Sequence, residues 1–254
     1  MANCITRHIP NAITCCNLIS GCIATVYAFG GDMKMSLLFI VIGAVFDFFD
    51  GMTARLLHVS SPIGKELDSL ADDVTFGVAP ATMVFTLLHW VKYPSFLDSV
   101  SSVIPYFAFV MAAFAALRLA KFNLDERQSV SFIGLPTPAN ALFWSALIAG
   151  SYPIIISQTY ALPVILAMVC LSSWVMVSEI PMFALKFKQW GWKGNEVKYI
   201  FVLSCIPLLI LFGITGIAVI IAWYVILSAF TAGSHNTPQK EDVSPCPPPK
   251  EGEI

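Results

Sequence analysis

The stretch 47–73, DFFDGMTARLLHVSSPIGKELDSLADD, holds four aspartates in two pairs, Asp47/Asp50 and Asp68/Asp72, with Gly51, Ala54, Arg55 and Gly64 between them. The sequence around it is apolar enough to lie in a bilayer. An acidic side chain at the centre of a membrane helix costs roughly 2.5–3.5 kcal/mol on the insertion scale. Four of them, even discounted for positions near the interface, carry a penalty comparable to the whole stability of a domain, about 5–15 kcal/mol. Such a cluster persists only with compensation. Carboxylate oxygens are hard ligands that suit Mg²⁺, Mn²⁺ or Ca²⁺, so divalent cations are the first candidates.

The rest of the chain supports a membrane setting. It is 57% hydrophobic and 12% charged, against about 25% charged for soluble proteins, and its mean hydropathy is +0.77. A run of about 20 apolar residues crosses the hydrocarbon core. By that measure the spacing predicts helices at 11–30, 34–57, 67–91, 101–121, 138–157, 160–184, 198–212 and 216–233. This is an all-α, polytopic membrane bundle of about eight spans (six to eight, because 198–212 is short and could form a hairpin or one bent element with 216–233). The reading divides the chain into a membrane domain, 1–233, and a polar, Pro-rich tail, 234–254, expected to be disordered. The first apolar segment follows Arg7 in the manner of a signal peptide. It lacks an A-x-A site, however, and carries Asn11, Thr14, Asn17 and Ser20 at three-residue intervals, a polar face suited to bundle packing.

Cations set the orientation. With a cytoplasmic N-terminus, twelve of the fourteen Lys and Arg residues fall inside and only Lys34 and Lys92 outside, a strong positive-inside bias. Both termini are then cytoplasmic, in a bacterial-type inner or plasma membrane, and the acid cluster lies at the cytoplasmic ends of the second and third helices. The seven cysteines show no CxxC and the four histidines no HxxxH or HExxH, which argues against a disulfide frame or a zinc site. The cations follow loop ends and form no basic patch, so no nucleic-acid partner is expected.

Asp47 and Asp50 are spaced i,i+3 and Asp68 and Asp72 i,i+4, so each pair shares a helix face. A reversal through Gly51, Pro62 and Gly64 would let the two faces meet. Two divalent ions about 4 Å apart would neutralise four converging carboxylates and hold a diphosphate. Gly51 leaves room for a nucleotide beside Asp50, and Arg55, one turn on, is placed to fork onto phosphate oxygens. Any single acid here reads equally well as a solvated helix cap. Caps do not require Gly, Ala, Arg and Gly at these intervals. Asp73 lies outside the pattern and is read as a neighbour of the site or a solvated residue.

Written as D-x2-D-G-x2-A-R-x8-G-x3-D-x3-D, the stretch resembles the signature of the CDP-alcohol phosphatidyltransferase family at every position. The resemblance implies an enzyme in which an alcohol displaces CMP from a CDP-linked lipid with metal assistance. It implies Asp47, Asp50, Asp68 and Asp72 as ligands of two ions, Mg²⁺ or Mn²⁺, and Asp72 also as the base that takes the alcohol proton. Gly51, Ala54, Arg55 and Gly64 would bind the nucleotide and diphosphate. Further runs, RHIPNAITCCNLISG (7–21), LDSLADDVTFGVAPA (67–81), ALRLAKFN (116–123) and SFIGLPTPAN (131–140), are similar to the membrane-embedded, serine-using branch. They imply CDP-diacylglycerol and L-serine as substrates and a homodimer as the assembly. Glycerol-phosphate users typically carry an LDPxADK-like run where this chain has Ser69 and Asp73. A serine acceptor needs a cation for its carboxylate, and Arg118, Lys121 and Asn123, at the cytoplasmic end of the fourth helix, are the candidates; anchoring at the headgroups is the competing reading for the two cations.

The alternatives are the same chemistry with glycerol 3-phosphate or inositol phosphate, an intramembrane prenyltransferase, and a secondary transporter with an acidic ion site. Prenyltransferases separate their acidic motifs on distant helices. Transporters hold charges near the midplane on broken helices and show repeats. Here all four acids fall within 26 residues near one interface.

Overall fold

The computed structural model describes residues 8–59, 61–124, 132–182 and 196–234. Among them the architecture is a helical bundle. Five helices are long and apolar enough to cross a membrane: α1 (Ile9–Phe29), α2 (Met33–Leu56), α3 (Pro62–Trp90), α4 (Ile104–Leu124) and α5 (Thr137–Ser157). Three shorter apolar helices complete it, α6 (Ala161–Val177), α7 (Glu196–Phe212) and α8 (Thr215–Ser234). The eight expected helices are therefore present, with shifted ends.

The shifts have local causes. Helix α3 begins at Pro62 because Ser61 caps it, accepting from the Gly64 amide at 3.0 Å, and proline at the first helical position gives up no bond. The expected reversal through Gly51, Pro62 and Gly64 is corrected accordingly. Gly51 lies inside α2, Pro62 and Gly64 lie in the first turn of α3, and the chain turns between them, where His58 takes a φ of 51°. Helix α6 stops at Val177, short of the expected 184, since Pro181–Met182 (β2) pairs antiparallel with Phe132–Ile133 (β1). Gly134 follows β1 with a φ of +74°, and a Cβ there would sit 2.5 Å from the Met176 carbonyl oxygen, so only glycine lets that backbone close against α6. Helices α7 and α8 form a hairpin about Gly213 (φ +55°). Pro136 stands at the N-cap of α5. Of the expected tail, 234–254, residues 235–254 lie outside the described residues.

Helix α3 is the centre of the bundle. Ala79, Ala81, Met83, Val84, Leu87 and Leu88 are fully buried along it, with α1, α2, α4 and α5 packed around. Helix α1 lies along α2 and α3, while α8 packs on α5 and α6 on α4. Its middle widens into a π-helical turn over Asp73–Val78 directly after Asp72; such turns recur at functional sites.

Candidate active site

The two acid pairs meet. Asp47 and Asp50 stand on the last three turns of α2, Asp68 and Asp72 on the first three turns of α3. One carboxylate oxygen each from Asp47, Asp50 and Asp68 lies within 4.8 Å of the others. Asp72 lies outside that group, though close enough to interact with all three acids. Asp50 and Asp72 are buried and Asp47 and Asp68 half-buried. Like charges this close repel, and Asp68 Oδ1 is shielded from solvent with no hydrogen-bond donor. An orphaned carboxylate oxygen within a hard-oxygen cluster is a donor set that fits a divalent cation.

Helix α1 supplies the donors that hold the acids. The Thr14 hydroxyl donates to Asp50 Oδ2 at 2.6 Å, and Asn17 Nδ2 donates to Asp72 Oδ1 at 3.1 Å. Each acid pair thus has its second member fixed by α1 and its first member left open. The stripe Asn11, Thr14, Asn17 and Ser20 packs into the bundle as expected, with Thr14, Asn17 and Ser20 buried, and two of its members, Asn11 and Thr14, also line the site. Ser20, the next in the series, bonds only to its own helix, at the Cys16 carbonyl. The signal was the need of buried acids for donors, but the partners are 36 and 55 residues away in sequence.

A cavity of about 250 Å³ opens beside the cluster, lined by Pro10, Asn11 and Thr14 of α1, Asp50, Gly51 and Ala54 of α2, Val59 and Ser61 of the turn, and Gly64, Lys65 and Asp68 of α3. Five of the eight signature residues therefore share one wall. A Cβ on Gly51 would meet nothing within 4 Å, so protein packing does not require glycine there. A Cβ on Gly64 would come within 3.0 Å of both Asn11 Oδ1 and Ser61 Oγ and push into that wall. Arg55 is exposed, and its Nε donates to the Gly51 carbonyl at 3.0 Å, which lays the guanidinium along the face that carries Gly51.

The acceptor candidates separate. Arg118 is 8% exposed and stacks over the Phe122 ring at 5.0 Å, and Asp72 is the acid whose charge reaches it. Asn123 joins α4 to the motif: its Nδ2 donates to Ser69 Oγ at 2.7 Å and its carbonyl accepts from Lys65 Nζ at 3.0 Å. Lys121 is exposed. Lys65 and Ser69, which the sequence did not mark as binding residues, thus tie the Leu124 end of α4 to the start of α3.

Comparison with known proteins places this geometry. The CDP-alcohol phosphatidyltransferase family matches residues 7–185. A CDP-diacylglycerol–serine O-phosphatidyltransferase of Bacillus subtilis is 37% identical over 176 residues, 68% of this chain and 89% of that protein. A protein of the same name from Helicobacter pylori is 30% identical over 221 residues, covering 85% of this chain and 87% of its own length. One from Saccharomyces cerevisiae is 43% identical over 109 residues, 39% of this chain and 36% of that protein. The chain belongs to the CDP-alcohol phosphatidyltransferase family, as its signature implied.

Proposed function

From that membership we propose that the protein transfers the phosphatidyl group of CDP-diacylglycerol to the hydroxyl of L-serine, giving phosphatidylserine and CMP. The observation that carries the proposal is the meeting of Asp47, Asp50 and Asp68 beside a cavity that Asp50, Gly51, Ala54, Gly64 and Asp68 of the signature line. The names of the relatives supply the acceptor.

In this reading the nucleotide and diphosphate enter along Gly51, Ala54 and Gly64, where backbone comes close for lack of side chains, and Arg55 takes phosphate oxygens. Asp47, Asp50, Asp68 and Asp72 would hold two divalent ions, Mg²⁺ or Mn²⁺, whose charge would offset that of the diphosphate and of the departing CMP. Asp72 accepts the proton of the serine hydroxyl, which is a poor nucleophile until a base takes it. The freed oxygen attacks the phosphorus that bears diacylglycerol. The bond from that phosphorus to the bridging oxygen breaks, and its electron pair leaves with CMP. Arg118 pairs with the serine carboxylate, and Asn123 and Lys121 lie at the same helix end. The cation asymmetry supports a site and two termini on the cytoplasmic side of a bacterial-type inner membrane, with 1–233 read as the membrane domain and 234–254 as a tail. The resemblance adds a homodimer, readable by native mass spectrometry.

An acceptor panel tests the function. Purified protein is given CDP-diacylglycerol and Mn²⁺, and CMP release is followed with serine, glycerol 3-phosphate and inositol phosphate. Release with serine alone is expected. Release with one of the phosphates in its place overturns the acceptor assignment and leaves the family chemistry standing.

A further inference from the structure

We propose that Asn17 is a positioning residue for Asp72, fixing one carboxylate oxygen so that the other alone faces the reacting alcohol; the inference rests on the reading of Asp72 as the base. Asn17 is fully buried and does not line the cavity, so it acts on the reaction only through what it touches. Its Nδ2 donates to Asp72 Oδ1 at 3.1 Å.

Asn17 is itself held from several sides. Its backbone carbonyl accepts from Thr75 Oγ1 at 3.1 Å, and Thr75 is fully buried on the π-helical turn that follows Asp72. Two glycines admit this arrangement. A Cβ on Gly43 would lie 2.5 Å from Thr75 Cγ2 and 3.0 Å from Asn17 Oδ1, and one on Gly21 would lie 2.8 Å from Thr75 Cα. With Gly43 behind the amide oxygen, the amide nitrogen is the atom turned to the acid. Asn17 Oδ1 has no hydrogen-bond partner, so the side chain is not there to satisfy itself. The bond it makes is to Asp72.

A carboxylate free to rotate exchanges its two oxygens and can chelate an ion through both. With Oδ1 occupied by an amide N–H, Asp72 presents Oδ2 alone. Asp72 stands beside the close group formed by oxygens of Asp47, Asp50 and Asp68, not within it. General-base efficiency depends on holding the accepting atom within hydrogen-bond reach of the proton it abstracts. Asn17 thus gives a fourth, chemically identical acid its separate task.

The test is a double-mutant cycle on the full chain in nanodiscs, pairing Asn17→Leu, which keeps volume and removes the donor, with Asp72→Asn. Asn17→Leu is expected to lower kcat by roughly 10–100-fold, part of the range of a general base. KM for CDP-diacylglycerol and the affinity for Mn²⁺ alone, read by electron paramagnetic resonance, should stay within about twofold. In the Asp72→Asn background the same substitution should cost less than about twofold more. An unchanged kcat overturns the proposal, as does an equal loss in both backgrounds, which is the signature of a packing role. If Asn17→Leu fails to insert, Asn17→Ser carries the same cycle with a smaller side chain. The cycle is run with whichever alcohol the wild type accepts, so a failure of serine overturns only the acceptor assignment.

Discussion

Helices α1–α3 carry polar and acidic residues within apolar runs, whereas the hairpin α7–α8 is almost wholly apolar, and the two regions use their side chains in opposite ways. In α1–α3 the few polar residues point inward and find one another: Thr14 on Asp50, Asn17 on Asp72, Thr75 on Asn17. In α7–α8 apolar side chains point outward, with Ile210 78% and Leu211 75% exposed, the surface a lipid phase covers. Hydrophobicity puts both regions in the membrane but gives neither a register, because lipid is as apolar as leucine. Register in the first region comes from hydrogen bonds and from glycines that admit close approach. That is also where the acid cluster lies.

The sharpest way to break the contrast is to remove the acids. Asp47→Asn, Asp50→Asn and Asp68→Asn should each lower turnover by about 10³-fold or more while the protein still inserts, because each takes a charge from a cluster built to hold cations. Size-exclusion chromatography and CMP release check this. Asp72→Asn should lower kcat by roughly 10²–10⁴-fold yet retain CDP-diacylglycerol binding, if it is chiefly the base. Equal loss of metal and lipid affinity would make it a ligand only.

Gly51→Ala separates site from scaffold more finely. With nothing within 4 Å, alanine should stabilise α2 by up to about 1 kcal/mol. If the nucleotide uses that open space, as proposed, KM for CDP-diacylglycerol should rise several-fold even as the melting temperature climbs. Arg118→Lys keeps the charge and loses the fork, so KM for serine should rise with little change for the lipid. Serinol, which lacks the carboxylate, should not distinguish the two proteins. An unchanged KM for serine removes Arg118 from the site, as lysine anchors at the headgroups equally well. At the far end of the scale, Ile210→Ala with Leu211→Ala should leave kcat within about twofold, since these side chains meet lipid alone.

The acids were legible in the sequence because charge in a bilayer is too expensive to be incidental, and the helices because apolar runs of span length have few other uses. Their boundaries were less so. Pro62 and Gly64 read as a turn, and only the Ser61 cap shows them to be the start of α3. The end of α6 depended on pairing with a strand some 50 residues earlier in the chain, at Phe132–Ile133. Thr14 and Asn17 were visible as a polar stripe that packs inward, but not as partners of Asp50 and Asp72. A stripe at three-residue intervals fits a packing face and a site wall equally, and only the fold says which helix it meets.

The most direct test of the central claim, that the acid cluster of α2 and α3 is a metal-assisted centre joining CDP-diacylglycerol to serine, is to measure CMP and phosphatidylserine together. Purified protein in nanodiscs receives both substrates, first in EDTA and then with Mn²⁺ restored. The account predicts no product in EDTA and equal amounts of CMP and phosphatidylserine once Mn²⁺ returns. Full turnover in EDTA, or CMP released without phosphatidylserine, would contradict it.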